Sequence, residues 1–215
     1  MAIELSGLAV PLGSNDDEIK HAAAARLGVK PQDILRLRVA RQSLDARRDV
    51  RLVLTVQVWL HDGKRQRSLE QRFGRVEVRP EQPVAYGHRA PGQPVVVGAG
   101  PCGLFAALTL AQHGYKPLLI ERGRDMDRRV RDVQRMSAQG VLDEESNVCF
   151  GAGGAGAFSD GKLTTRIKDP RTERVLKALA ECGAPEEILV LAKPHTGTEN
   201  IRKAVTGILD KIRRL

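Results

Sequence analysis

Residues 94–121 read PVVVGAGPCGLFAALTLAQHGYKPLLIE, and this stretch decides the fold. The apolar run of Val95, Val96 and Val97 predicts a strand that is buried on both faces. A glycine turn, an apolar helix and a second strand at residues 118–120 follow, and the stretch ends on Glu121. This order predicts a βαβ unit of a Rossmann-like α/β domain that binds a dinucleotide.

The glycine turn has the G-x-G-x-x-G spacing of a dinucleotide-binding loop. Gly98 allows the tight turn, Gly100 lets the backbone approach a pyrophosphate, and Gly103 lets the helix pack against the strand. The helix N-terminus offers free N–H groups and the positive end of its dipole to the phosphates. We therefore expect the cofactor to be bound by Gly98, Ala99, Gly100, Pro101, Cys102 and Gly103.

Glu121 follows the turn at the distance where an acid accepts hydrogen bonds from the adenosine ribose. Its carboxylate disfavours the 2′-phosphate of NADP, but it does not distinguish FAD from NAD. Arg122, the next residue, is included in the predicted cofactor site.

A second glycine cluster occupies residues 150–163, FGAGGAGAFSDGKL. A loop without side chains lets backbone N–H groups converge on a phosphate or a flavin edge. A plain NAD domain does not need such a second loop, whereas the alternative interpretation is a low-complexity surface loop. The residues predicted to bind the cofactor here are Gly153, Gly154, Gly156, Ser159, Asp160, Gly161 and Lys162.

Composition limits the classes of partner. The chain has 215 residues, a net charge of +9, 41% hydrophobic residues and 3% aromatic residues. No apolar run is long enough to span a membrane and no secretory signal is present, so we expect a cytoplasmic protein. The three cysteines are widely spaced and predict no metal site. Nucleic-acid binding is not expected, because the basic residues are scattered, aromatics are few, and the mixed-charge segment 121–135 is typical of a solvated helix face.

Three segments are predicted along the chain: a small α+β domain at 1–80, a Pro/Gly linker at 81–93, and the Rossmann-like domain at 94–215. The first domain should contain strands and one helix in the order β-α-β-β, with a further strand at residues 73–78. Ser14 or Asn15 should cap a helix that begins at Asp16 and ends at Gly28, and Asp62-Gly63 should form a turn. Near the end of the chain, Thr198 or Asn200 should cap a final amphipathic helix.

Three separated segments resemble one family: VVVGAGPCGLFAALTLAQHGYKPLLIERG, SNVCFGAGGAGAFSDGKLTTRIKD and KPHTGTENIRKAV. They are similar to the uncharacterised FAD-dependent dehydrogenases, large bacterial flavoproteins with a glutathione-reductase-like FAD fold. RQSLDARRDVRLVLTVQVWL resembles the N-terminal appendage of the same family. The chain departs from the family at Ala152, where members usually have an acid.

The resemblance implies an FAD-dependent oxidoreductase of unknown substrate, with NAD(P)H as a candidate electron donor. It also implies that Gly98, Gly100 and Gly103 hold the pyrophosphate, that Glu121 holds the ribose, and that residues 153–162 line the flavin or the phosphates. Members of the family are much longer, so the chain is expected to be an N-terminal part, inactive without its C-terminal half or a partner chain. No catalytic residue is predicted, and His195 is only a guess.

Two alternatives stay open on the sequence alone. One is an NAD-binding dehydrogenase domain, and the other is a non-enzymatic fragment that binds a nucleotide or RNA.

Overall fold

A computed structural model describes residues 1–78, 91–165, 167, 169 and 171–215. Twelve helices and strands are defined within these residues. They are β1 (Ala2–Pro11), α1 (Asp16–Leu27), β2 (Ile34–Asp45), β3 (Arg51–Leu60), α2 (Gly63–Phe73), β4 (Arg75–Val76), β5 (Val95–Val97), α3 (Pro101–Gln112), β6 (Leu118–Ile120), α4 (Met126–Gln139), α5 (Arg171–Glu181) and α6 (Thr198–Arg214).

The chain forms two compact units. Unit 1 comprises Met1–Gly87 with Val190–Ala192, and unit 2 comprises His88–Leu189 with Lys193–Leu215. The linker predicted at residues 81–93 lies outside the described residues apart from its last three. The predicted domain boundaries stay a prediction.

Unit 1 is a four-stranded sheet in the order β2-β3-β1-β4, and its strand pairs are antiparallel. Residues 190–192 pair with Gln42 at the outer edge of β2. Alternate residues of β1 and β3 point to one side, where they meet α1 and α2 in an aliphatic core. Asn15 and Glu18 form a reciprocal capping box at the start of α1, and Gly28 ends this helix in the left-handed conformation, as the sequence predicts.

One prediction for unit 1 is wrong, and another is confirmed over a shorter stretch. Asp62-Gly63 is not a turn, because the Asp62 carboxylate accepts hydrogen bonds from the N–H groups of Lys64 and Arg65 and so caps α2. The further strand predicted at residues 73–78 is present but short: α2 extends to Phe73, and Arg75 and Val76 form β4.

Unit 2 is organised around α6. The buried side chains Ile201, Ala204, Val205 and Ile208 of this helix belong to one aliphatic cluster with residues of α3, α5 and the loop before residue 160. A Cβ at Gly207 would collide with the backbone of Cys182, so this glycine lets α6 lie close to the end of α5. The N-cap of α6 is Gly197 without a side-chain cap, not Thr198 or Asn200.

The parallel pair β5–β6 carries the glycine turn. Val95, Val96 and Val97 pair with Leu118, Leu119 and Ile120, and the Gly98 N–H continues the ladder to the Ile120 carbonyl at 2.6 Å. Val96 and Leu119 are half-buried, but Val95 is 57% exposed and Val97 is 82% exposed. The prediction of a strand buried on both faces is therefore wrong, because the described sheet of unit 2 has two strands and one apolar face open to solvent.

Candidate functional site

The first glycine turn has the geometry of a phosphate loop. Gly98 adopts a φ of +94°, which only glycine tolerates without strain. A Cβ at Gly103 would collide with the Gly98 carbonyl, so this glycine allows α3 to pack against the turn. At Gly100, by contrast, no described atom lies within 4 Å of an added Cβ, so the space in front of the backbone is open.

The N-terminus of α3 has backbone N–H groups without a described acceptor. Gly100 is its N-cap and contributes no side-chain hydrogen bond, and Pro101 occupies the first turn. Among the described hydrogen bonds, none uses the N–H groups of Gly100, Cys102 or Gly103. Free N–H groups and the helix dipole together make this end of α3 suited to an anion.

Glu121 holds the turn in shape. Its carboxylate accepts a hydrogen bond from the Ala99 N–H at 2.6 Å and another from the Gly123 N–H at 2.8 Å. A carboxylate has about four lone-pair sites, so these two bonds leave acceptors over. The sequence predicts a ribose contact for Glu121, and the structure adds a structural role that the motif does not reveal.

The second glycine loop packs directly on the first. The Gly153 N–H donates to the Ala99 carbonyl at 2.8 Å, so Ala99 is bound both by Glu121 and by this loop. Gly154 has a φ of +63°, and a Cβ there would lie 3.2 Å from Pro101 and 3.5 Å from Gly100. The two loops predicted to bind the cofactor are thus brought together over the start of α3.

A buried arginine organises the second loop. Arg129 on α4 is 0% exposed, and its guanidinium donates to five backbone carbonyls within the loop. The donor–acceptor distances range from 2.7 Å to 3.4 Å, and the acceptors are the carbonyls of Asn147, Val148, Gly151, Ala152 and Gly154.

No ion pair among the described residues includes Arg129. Burial lowers the pKa of its guanidinium below the ordinary value, and the charge of Glu121 opposes that shift. An arginine stays protonated nonetheless, so the five carbonyl dipoles of the loop are directed at a positive charge. Interpreting the mixed-charge segment 121–135 as a solvated face is therefore wrong at Arg129.

Phe158 contacts both Arg129 of α4 and Arg202 of α6. Its ring lies between two guanidinium groups, with Arg129 at 4.6 Å and Arg202 at 4.1 Å from the ring centroid. Arg202 also donates to the Ala157 carbonyl at 3.1 Å. These cation–π contacts tie the 3₁₀ turn at Ala155–Phe158 to α4 and α6.

The predicted residues 159–162 form a second cluster with the segment before α6. Lys162 and His195 pair as an antiparallel bridge, and the Thr196 N–H donates to the Gly161 carbonyl at 2.9 Å. The Thr198 hydroxyl donates to the Ser159 carbonyl at 2.6 Å. None of the described hydrogen bonds joins this cluster to residues 98–103.

Asp160 lies between two basic side chains. Its carboxylate is 2.7 Å from the Lys162 ammonium and 3.9 Å from Nε2 of His195. The hydrogen bond from Lys162 lowers the pKa of Asp160, and the same pair raises the pKa of Lys162. All three side chains are more than half exposed, so the cluster is open to solvent.

The remaining predicted residues lie in different settings. Cys102 is exposed on the first turn of α3. The Nε of Arg122 lies 2.6 Å from a carboxylate oxygen of Glu145, and the Arg122 guanidinium lies over the Phe150 ring. Gly156 has open space where a Cβ would stand. Ala152, where an acid is usual in the similar family, is buried, with 4% of its surface exposed.

Sequence comparisons point to a dinucleotide-binding site. Residues 96–147 match the NAD(P)-binding Rossmann-like domain family, and residues 2–59 match a domain of unknown function, DUF8436. The match to the Rossmann-like family covers β5 from Val96 onward, the glycine turn, Glu121 and Arg129. The chain thus includes a segment that is similar to an NAD(P)-binding Rossmann-like domain.

A protein of Clostridium beijerinckii, described as uncharacterized, is 41% identical to this chain over 220 residues. The alignment covers 100% of the chain and 41% of the relative. The chain thus spans well under half the length of the curated relative that it matches.

Two negative findings concern other classes of site. No helix in the described part of the chain is both long and apolar enough to cross a membrane. Within the same residues, no group of three or more His, Cys, Asp or Glu side chains is placed to hold a metal ion.

We predict that Arg129→Lys lowers the free energy of unfolding by about 3 kcal/mol, because at least two buried carbonyls lose their donors at ~1–3 kcal/mol each. Urea unfolding followed by circular dichroism measures the change. Hydrogen exchange within residues 147–154 should accelerate as well. Arg131→Lys, on the exposed side of the same helix, is the control and should leave both measurements unchanged; equal effects of the two substitutions would contradict the assigned role.

Glu121→Gln should loosen the first turn. A glutamine side chain has a single acceptor oxygen, so one of the two N–H groups at Ala99 and Gly123 loses its partner, at a cost of ~1–3 kcal/mol. Amide hydrogen exchange at these two positions should become faster. The control is Glu145→Gln, which removes an exposed carboxylate; unchanged exchange in Glu121→Gln would argue against the bridging role.

Proposed function

We propose that this chain is part of an FAD-dependent oxidoreductase and that its two glycine loops bind the ADP portion of FAD. The observation that carries the proposal is the junction of the loops at Ala99, where one residue is bound by both Glu121 and Gly153. The open space at Gly100 and the free N–H groups at the start of α3 fit a pyrophosphate.

The cofactor-binding residues divide by role. Gly98, Gly100 and Gly103 form the pyrophosphate loop together with Ala99, whose N–H is bound to Glu121, and Cys102, whose N–H is free. Pro101 begins the helix that supports this loop. Glu121 accepts hydrogen bonds from the adenosine ribose with its remaining lone pairs, next to Arg122. The second loop adds Gly153, Gly154, Gly156, Ser159, Asp160, Gly161 and Lys162.

FAD is favoured over NAD by the second loop. A dinucleotide domain that binds NAD needs only the first turn and the acid, whereas here a further glycine segment is fixed against that turn by a buried arginine. Flavin supplies the electron transfer when it is bound, and the protein supplies orientation and electrostatics. The family match itself favours the second candidate, an NAD(P)-binding domain.

Activity of a whole enzyme requires more than these residues. The Clostridium relative is more than twice as long as the matched region, so a substrate domain and a contact to the flavin end are proposed for its further sequence. For this chain we propose NAD(P)H as electron donor and cytoplasmic residence, and we assign no catalytic residue.

Ligand identity tests the cofactor proposal. We predict that mass spectrometry of ligand released by heat from the purified protein detects FAD and no NADP, because the Glu121 carboxylate repels a 2′-phosphate. Absorbance in the flavin bands should accompany it. Recovery of NAD or NADP without flavin would contradict the proposal and favour the second candidate.

Two glycine substitutions should separate binding from folding. Gly100 has a φ of −71°, which valine tolerates, so Gly100→Val should stay folded and lose FAD affinity by at least about tenfold because its methyl groups fill the pyrophosphate space. Gly103→Val should lower the melting temperature as well, since its Cβ collides with Gly98.

Titration with FAD and thermal unfolding measure the two effects. The matched control is Ala106→Val, which adds the same methyl groups at an exposed position of α3. Unchanged affinity in Gly100→Val would show that the phosphate loop is misassigned.

A further inference from the structure

Three arginines form a row on the face of the unit 1 sheet that is opposite the helices. Arg36, Arg38 and Arg41 of β2 pair with Trp59, Gln57 and Thr55 of β3. Paired residues of antiparallel strands share a face, and the intervening Val56 and Val58 point into the core. We call the surface formed by these residues the arginine face: Arg36, Arg38, Arg41, Trp59, Gln57 and Thr55.

Two β-bulges in β2 create this row. The register shifts between Ile34 and Arg36, and again between Val39 and Arg41. Simple alternation from Ile34, which is 2% exposed, would turn Arg36 into the core, and alternation from Arg38 would do the same to Arg41. Each bulge adds one residue and so redirects the following arginine to the solvent face.

The positive charge of the row is not neutralised by neighbouring carboxylates. Among the described residues, no ion pair includes Arg36, Arg38 or Arg41. The Arg36 guanidinium lies 5.1 Å from the centroid of the Trp59 ring, and all three arginines are exposed. A row of this kind attracts a polyanion.

Acids on the same face are few. By register, Glu4 lies opposite Gln57, and Asp45 lies opposite Arg51 at the far end of β2. Arg47 binds the Asp45 carboxylate through two side-chain hydrogen bonds and lowers its pKa to about 2, so Asp45 is already paired. Glu4 lies on β1 and is separated from the arginine row by β3.

A buried acceptor lies beside the row. Gln57, opposite Arg38, is 9% exposed, and no described donor reaches its Oε1. A buried acceptor without a donor destabilises the structure.

We propose that the arginine face binds single-stranded nucleic acid, with phosphates on the arginine row and a base against Trp59. Alternate residues of a strand are about 7 Å apart, which suits successive phosphates of an extended chain. Arginine forks match phosphate geometry, and an aromatic ring on a sheet stacks unpaired bases. An acidic peptide would match the charge but would leave Trp59 without a role.

The sequence gives little sign of this surface. The basic residues look scattered along the chain, and the positions 36, 38 and 41 fit no single strand periodicity. Only the strand register gathers them. The proposed surface lies in unit 1, whereas the glycine loops lie in unit 2, so either proposal can fail without the other.

The protein contains a single tryptophan, and this residue is Trp59 in the proposed site. Titration of the full chain with oligouridine of about 12 nucleotides should therefore quench its fluorescence, while anisotropy of a labelled oligonucleotide reports affinity. Oligothymidine tests DNA against RNA, and a duplex of equal length and polyglutamate test the other polyanions. Tighter binding of single strands than of the duplex or polyglutamate is expected.

Arg36→Gln/Arg38→Gln/Arg41→Gln should weaken binding at least about tenfold at low salt and abolish the quenching. Its slope of log K against log salt should become shallower by about 2, since each lost phosphate contact contributes ~0.7 for a single strand. Arg38→Gln alone should account for about a third of that change and keeps the test valid if the triple variant unfolds.

The control is Arg26→Gln/Lys64→Gln/Arg67→Gln, which removes the same charge from the helices of unit 1. It should retain affinity within about twofold. The proposal is overturned if this control weakens binding as much as the triple variant, if polyglutamate or duplex competes equally with single strands, or if oligonucleotides leave Trp59 unquenched at low salt.

Discussion

The buried guanidinium of Arg129 is the interaction on which the candidate cofactor site depends. It donates hydrogen bonds to backbone carbonyls of the loop from Asn147 to Gly154, which has few side chains that could stabilise it. That loop in turn binds Ala99 and lies against Gly100. The shape of the first glycine turn therefore depends on a side chain about 30 residues further along the chain. The guanidinium that binds these carbonyls has a further effect, because its charge contributes a positive potential close to where phosphates are proposed to bind.

Much of unit 2 could be predicted from the sequence because its signals are local. All of these signals lie within one βαβ segment: the valine run, the spacing of Gly98, Gly100 and Gly103, and the acid Glu121. The strands, the turn and the helix follow in the predicted order. The match to the NAD(P)-binding Rossmann-like family covers this same segment. Cofactor identity and the roles of individual residues depend on atoms outside the segment and remain proposals.

The predictions are wrong where the structure depends on contacts between residues distant in the sequence or on small changes of strand register. The charge pattern of α4 is the same for a solvated arginine and for Arg129, because burial depends on a loop about 20 residues further along. Asp62-Gly63 has the composition of a turn, but an aspartate is also a preferred N-cap residue. In the structure Asp62 caps α2. The bulges of β2 leave no sequence signal at all, although they decide which side of the sheet receives Arg36 and Arg41.

Several glycines of unit 2 meet backbone and not side chains. Gly103 meets the Gly98 carbonyl, Gly123 meets Gly151, and Gly161 meets Gly197. At such a contact a larger residue on one side cannot be offset by a smaller one on the other, since there is nothing left to remove. The usual route of sequence divergence in a core, paired changes of volume, is therefore closed at these positions. Homologues that keep this loop arrangement should vary freely around the glycines and hardly at all at them, which makes these contacts a better mark of common descent than overall identity.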